Sequence, residues 1–217
     1  MSAYERLAAQ LEPASTALLT VECQEGVVGA DSALPELAAE ARKSGALRQV
    51  ARLVDAAHHA GVQVVHAIAE RRPDGRGANH NARLFRAAER LPVQQVSGTR
   101  AVRVADPVEV ADSDFVVRRL HGLSPVSGTD VDALLRNLGC RNVVVTGVSA
   151  NVAIPNAVFD LVNLGYQVVV PADAIAGVPA DYTQAMVQHT LALVSTVTRS
   201  DEVRGLWLRG RQAGGGS

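Results

Sequence analysis

Short, mostly apolar runs alternate along the chain with longer stretches that are apolar on one face only. Ala17-Leu18-Leu19-Thr20-Val21, Val62-Gln63-Val64-Val65-His66, Asp114-Phe115-Val116-Val117, Val143-Val144-Val145 and the run from Gln167 to Val170 are too short and too β-branched for helices. Strands of a parallel sheet covered on both faces read this way. Val194 to Val197 adds a last strand. Between them, Tyr4 to Leu11 predicts a short helix stopped before Pro13. Ala46 to Ala60 predicts a strongly amphipathic one, with Leu47, Val50, Leu53, Val54 and Ala57 on one face and Gly61 ending it. Thr129 reads as the cap of a helix through Leu138, with Asp132 as a weaker form of the capping box. Asn151 suits the N-cap of a helix that Gly165 closes, with Val152, Phe159 and Val162 inward. Pro179 to Leu193 reads as one further helix, and Gln24 to Pro35 as a loop.

Strands alternating with helices predict a single α/β domain over residues 1–210, built on a parallel sheet with right-handed crossovers. Residues 211–217, closing in Gly214-Gly215-Gly216-Ser217, read as a flexible tail. Two stretches stand apart. From Ala67 to Pro92 the chain carries six arginines, many turn residues and a short helix near Ala82 to Arg90, as an excursion over the sheet edge would. From Asn142 to Asn156, NVVVTGVSANVAIPN, a strand feeds a helix through the turn Gly147-Val148-Ser149-Ala150. Such a turn points backbone N–H groups at the carboxyl edge of the sheet, where open α/β sheets bind ligands.

Composition narrows the partners. At 217 residues and 47% apolar the chain can bury a sizeable core, while 3% aromatics leave few platforms for stacking bases. A net charge of −1 gives no electrostatic case for nucleic acid or a membrane surface. No apolar run approaches the ~20 residues needed to span a bilayer. The mixed-charge start, MSAYERLAAQLEP, is unlike a secretory signal. Cys23 and Cys140 form neither a disulfide framework nor a zinc pattern, so a cytoplasmic location is expected.

The succession ALLTVECQ, DFVVRR, SGTDVDALLR and VVVTGVSANVAIPNAVFDLVNLGYQVVVPADA resembles the isochorismatase-like cysteine hydrolases, from about Ala17 to Val197. The G-V-x-x-N-V block, followed by a helix, Gly-Tyr and a strand ending in Asp-Ala, is its most specific part. That family includes nicotinamidases, carbamoylsarcosine and ureidoacrylate amidohydrolases, and isochorismatases proper. The resemblance implies a Rossmann-like three-layer sandwich around a six-stranded parallel sheet, and a homodimer or homotetramer.

The family's amide hydrolases use an Asp at the end of strand one, a Lys after strand three and a nucleophilic Cys opening the helix after strand four. These fall on Glu22, Arg119 and Ala153, and all three differ. A methyl group cannot replace a thiolate. Arg119 holds its proton and so can stabilise an anion but not shuttle protons. Alternation from Val117 favours Arg119 over Arg118 as the inward residue. The resemblance further implies a strained, often cis, peptide at Val148–Ser149, whose N–H joins that of Ala153 in holding an oxyanion. Isochorismatases proper also lack the Cys, because vinyl ether hydrolysis needs a general acid and a water. Glu22 would be that acid if burial raises its pKa.

Other readings compete with these. Ser149 invites a nucleophile elbow, but Asn151 stands where the second Gly of G-x-S-x-G belongs. Cys23 should point away from Glu22, as a small buried apolar residue, and Cys140 reads as structural. His66 either lines the pocket or is a hydrogen-bonded structural histidine. HAIAERRPDG lacks the ligands of the Asp-x-His metal site that some nicotinamidases carry after strand two. Arg71, Arg72, Arg76, Arg83 and Arg86 either meet an anion or partner subunit or form a solvated loop. The expectation is a hydrolase of a small metabolite without a Cys nucleophile, with Glu22 and Arg119 catalytic and Val148, Ser149, Ala153, Asn151 and His66 binding substrate. It needs no metal or cofactor and engages no nucleic acid or membrane. The alternative is an inactive protein of this fold that binds a ligand or partner.

Overall fold

The structure, a computed structural model, describes the backbone of residues 2–214 and the side chains of residues 2–209. Its strands are Thr16–Val21 (β1), Gln63–Ala69 (β2), Phe115–Arg119 (β3), Asn142–Val148 (β4), Gln167–Pro171 (β5), Ile175–Ala176 (β6) and Thr196–Thr198 (β7). The helices are Ala3–Gln10 (α1), Glu25–Val28 (α2), Pro35–Lys43 (α3), Ala46–Ala60 (α4), Arg83–Ala88 (α5), Val131–Asn137 (α6), Ala153–Asn163 (α7), Ala180–Met186 (α8), Ala192–Val194 (α9) and Ser200–Gly214 (α10). The sheet runs β3-β2-β1-β4-β5-β7, with β6 beside β4, and every pairing is parallel.

Seven strands replace the six expected. Along β4, β5 reaches only Asn142, Val143 and Val144 at the start of the strand. The far end, Gly147 and Val148, pairs instead with Ile175 and Ala176 of β6. β1 and β4, at the centre, are buried at every residue. Alternation then sorts the core into two layers. Leu18, Val64, Val144 and Val169 pack with α4 and with Trp207 of α10, whereas Ala17, Leu19, Val143 and Val145 pack with α6 and α7. In α4 the predicted stripe Leu47, Val50, Leu53, Val54 and Ala57 is buried, and Gly61 ends the helix at φ 73.

Several local expectations need correction. The predicted loop from Gln24 to Pro35 contains α2, hidden by two glycines. Gly26 is required there, because a Cβ on it would lie 2.9 Å from Ala101 Cβ. α3 and α10 carry too few buried apolar positions to announce themselves. In α10 Val203 and Trp207 are fully buried, and the Trp207 indole donates to the Leu11 carbonyl at 3.1 Å.

Val152, not Asn151, holds the N-cap position of α7. Phe159, expected inward, is exposed, and the buried stripe is Ile154, Ala157, Val158 and Leu161. In so apolar a helix several stripes fit the same period, and only the neighbours choose among them. Asp130 holds the N-cap position of α6, while Asp132 accepts from Arg136 and Tyr166. The continuous helix expected from Pro179 to Leu193 is interrupted by a π-helical segment, Val187–Leu191, between α8 and α9. α10 runs over part of the segment expected as a tail, and residues 215–217 of it lie outside the described residues.

Candidate active site

β1, β3 and β4 end at one edge of the sheet, which places Glu22, Arg119 and the Val148–Ala153 turn along the same carboxyl rim. Glu22 follows the last residue of β1, and its N–H donates to the Ala67 carbonyl at 2.8 Å. Its φ is 51, the one positive value among the described non-glycine residues. That backbone turn ends the alternation of β1. Cys23 then points to the α4 layer, into the cluster containing Val148 and Leu47.

Arg119 closes β3 and donates from Nη2 to the Glu22 carboxylate and from Nη1 to the Gly122 carbonyl. The Glu22 and Arg119 side chains are 18% and 11% exposed, so the pair is largely desolvated but still reachable. Burial raises the Glu22 pKa, and the charge and hydrogen bond of Arg119 pull it down by less. Arg118, on the opposite face, is 60% exposed and lies 3.6 Å from Glu70.

The β4–α7 turn supplies backbone. The Val148–Ser149 peptide is cis. The Ser149 carbonyl accepts from Val152 at 3.2 Å and from Ile154 at 3.1 Å, and the Ala150 N–H donates to Ala176 at 2.8 Å. Among the described residues no protein group accepts from the N–H of Ser149 or of Ala153. Ala153 opens α7 and is buried, its methyl part of the α7-side core. Asn151 turns away. Its carboxamide donates to the Val178 carbonyl at 2.7 Å and accepts from the Val178 N–H at 3.0 Å, so it clamps the segment after β6 and has little left for a substrate.

His66 also departs from expectation. It sits inside β2 rather than at its end, with Thr20 Oγ1 2.8 Å from Nδ1 and Asp114 Oδ2 3.2 Å from Nε2. Fully buried, it lines no opening, and burial lowers its pKa despite Asp114. The Cys23 thiol is pushed up to about 12, by burial first and the Glu22 charge second, which disfavours the thiolate a nucleophile needs. Cys140 is buried and free, its pKa also raised by burial.

Two positioning residues escaped the sequence reading. Gln24, fully buried, accepts from the Ala69 N–H and donates to its carbonyl, both at 2.8 Å, locking the end of β1 to the end of β2. Asn79 accepts from the Gly122 N–H at 2.7 Å and so steadies the loop that Arg119 holds. A buried amide directly after Glu22-Cys23 was the available signal for Gln24; Asn79 had none. The arginine-rich excursion is stitched mainly to itself, with Arg71 on Gln94, Arg72 on Asp74 and Arg86 on the His80 carbonyl. Among the described residues no group of three His, Cys, Asp or Glu is placed to hold a metal ion. Nor is any helix there long and apolar enough to cross a membrane.

The chain is similar to known proteins over most of its length. A ureidoacrylate amidohydrolase (RutB) of Rhizobium rhizogenes is 26% identical over 187 residues, covering 80% of this chain and 75% of that protein. An isochorismatase family protein from Desulfovibrio vulgaris superposes with a TM-score of 0.75 at 22% identity, covering 92% and 98% of the two chains. N-carbamoylsarcosine amidase from Thermoplasma acidophilum superposes at 0.65 and 22% identity, covering 86% and 97%. The isochorismatase domain model matches residues 16–202, and the chain therefore belongs to the isochorismatase family.

Proposed function

We propose that this member of the isochorismatase family hydrolyses a small metabolite by acid–base chemistry, without a cysteine nucleophile. The observation that carries the reading is Glu22: a largely buried carboxyl with raised pKa, aimed along the sheet rim and held by a guanidinium. Such a group keeps its proton nearer neutrality than an exposed glutamate does, as a general acid must. Ala153 takes the place from which the family's thiolate attacks, so attack falls to water. Glu22 gives its proton to the substrate atom that becomes the leaving or protonated centre. Water adds to the electrophilic carbon, and the surplus proton of that water returns to Glu22. The free N–H groups of Ser149 and Ala153 stabilise negative charge on the substrate, and Arg119 keeps Glu22 aimed and neutralises it when ionised.

The amidohydrolase relatives support a small amide or ureido compound as one substrate class, and the missing thiol favours bonds that yield to protonation, such as vinyl ethers. A binding-only protein of the same fold is the second reading, favoured by the Ala153 methyl and by the closed Glu22–Arg119 pair. The dimer or tetramer and the cytoplasmic location belong to this proposal too. Turnover of a panel of amides, ureido acids and vinyl ethers by wild type, Glu22→Gln and Ala153→Cys separates the readings. We expect a loss of at least about 100-fold in kcat for Glu22→Gln and a gain of amide hydrolysis for Ala153→Cys. Activity that survives Glu22→Gln unchanged rejects the acid assignment. No turnover by the wild type selects the binding-only reading.

A further inference from the structure

A well-formed cavity among the described residues lies away from this rim. It measures ≈ 620 Å³ and opens between α2, the α3–α4 junction and residues 100–107. None of Glu22, Arg119, Ser149 and Ala153 lines it. The volume is that of a small-molecule site. Val28, Ala41 and Leu47 form an apolar wall, belonging to the α4-side core. Around that wall stand three guanidiniums, of Arg42, Arg48 and Arg100, and two carboxylates, of Glu25 and Asp106.

The cations are only partly satisfied. Arg100 lies 3.5 Å from Glu25. Arg42 spends Nη1 on the carbonyls of Val28 and Gly29, at 3.3 and 3.4 Å, and meets no acid among the described residues. Arg48 folds over Gly45, and no described residue bonds or pairs with its guanidinium. An apolar wall beside two guanidiniums without carboxylate partners, which outnumber the one lining carboxylate left unpaired among the described residues, Asp106, suits an organic carboxylate with an apolar body. The guanidinium fork takes a carboxylate with two parallel hydrogen bonds.

The inner wall of the cavity is packed against the rim, with no open passage between them. Ala41 and Leu47 also bound a void too narrow for water, whose other side is Cys23, Gly147 and Val148. Cys23 follows Glu22, and Val148 precedes Ser149. We propose that the α3–α4 cavity is a second small-molecule site, for organic carboxylates with an apolar body, placed back to back with the β4–α7 turn.

Titration of the full chain with benzoate, followed by amide NMR, tests this. Saturable shifts are expected in residues 25–30, 41–48 and 100–107, spreading to Gly147. Arg48→Gln and Arg42→Gln, both at exposed positions, should each weaken benzoate at least tenfold, as should replacing benzoate by inorganic phosphate, which lacks the apolar body. Benzylammonium, the same ring with opposite charge, should not bind. Several results would overturn the proposal: no saturable shift, shifts confined to residues 149–153, equal binding of benzylammonium, or full affinity retained by both variants.

Discussion

A glutamate at φ 51 is unfavourable twice over, since its Cβ crowds a left-handed backbone and its carboxylate loses most of its water. Such a residue persists only where the surroundings over-determine it, and here Ala67 holds its N–H while Arg119 holds one carboxylate oxygen. The sign of its effect on stability follows from the direction of its pKa. Raised above the ordinary 4.5, it lets the folded chain keep a proton that the unfolded chain has released. Its stabilising contribution is therefore complete below 4.5 and is lost as pH rises through the raised value. Urea unfolding at a series of pH values should show wild type losing stability relative to Glu22→Gln as pH climbs; parallel curves would contradict a raised pKa. His66 has the opposite window. Its pKa is lowered from 6.5 by burial, so the unfolded chain takes up a proton first as pH falls. Wild-type Tm should decline on acidification below about 6.5, and His66→Gln should flatten that decline although it lowers Tm at neutral pH. Asp114 and His58 face His66 in the same cluster, so His58→Gln is the control that isolates the buried ring.

At the scale of elements, the turn after β4 depends on a close approach of backbones that no periodicity reveals. Gly147 has φ 106, and a Cβ there would lie 2.3 Å from the Val21 carbonyl oxygen and 2.9 Å from Cys23 Sγ. Gly147→Ala must part β1 from β4 at the rim that carries the candidate site. A cost of at least about 3 kcal/mol is expected, in the range of severe core strain. Chemical denaturation measures it, and a loss below about 1 kcal/mol would mean the strand ends can part freely. The Val-rich strands, the α4 stripe and the Gly61 stop were all readable, because a period and a cap are local properties. The inward face of α7 was not, since its sequence is apolar nearly all round and the β5 and α9 neighbours decide which stripe is covered. Asn151 misled for a related reason. An Asn before a helix suits a cap, yet Val178, 27 residues away, offers both halves of an amide pair and takes the side chain instead.

For the whole molecule, the two chain ends are joined through Trp207. Its fully buried indole bonds to Leu11 and packs in the cluster that holds α4. Trp207→Ala should cost roughly 3–5 kcal/mol, as large-to-small changes in full cores do, and calorimetry should show one transition shifted down rather than a separate melting of α10. The sequence by itself determined the α/β class, the parallel order of strand and helix, the rim that carries the candidate site, and the absence of a thiol at position 153. Those follow from side-chain period, turn chemistry and residue identity, which are properties of neighbours along the chain. Only the tertiary structure decided that Glu22 meets Arg119 across 97 positions and that His66 is sealed inside the sheet. It alone placed a cavity where α2 and the α3–α4 junction converge. Each of those depends on packing between segments distant in sequence, where register, burial and desolvation are set by partners that no local pattern specifies.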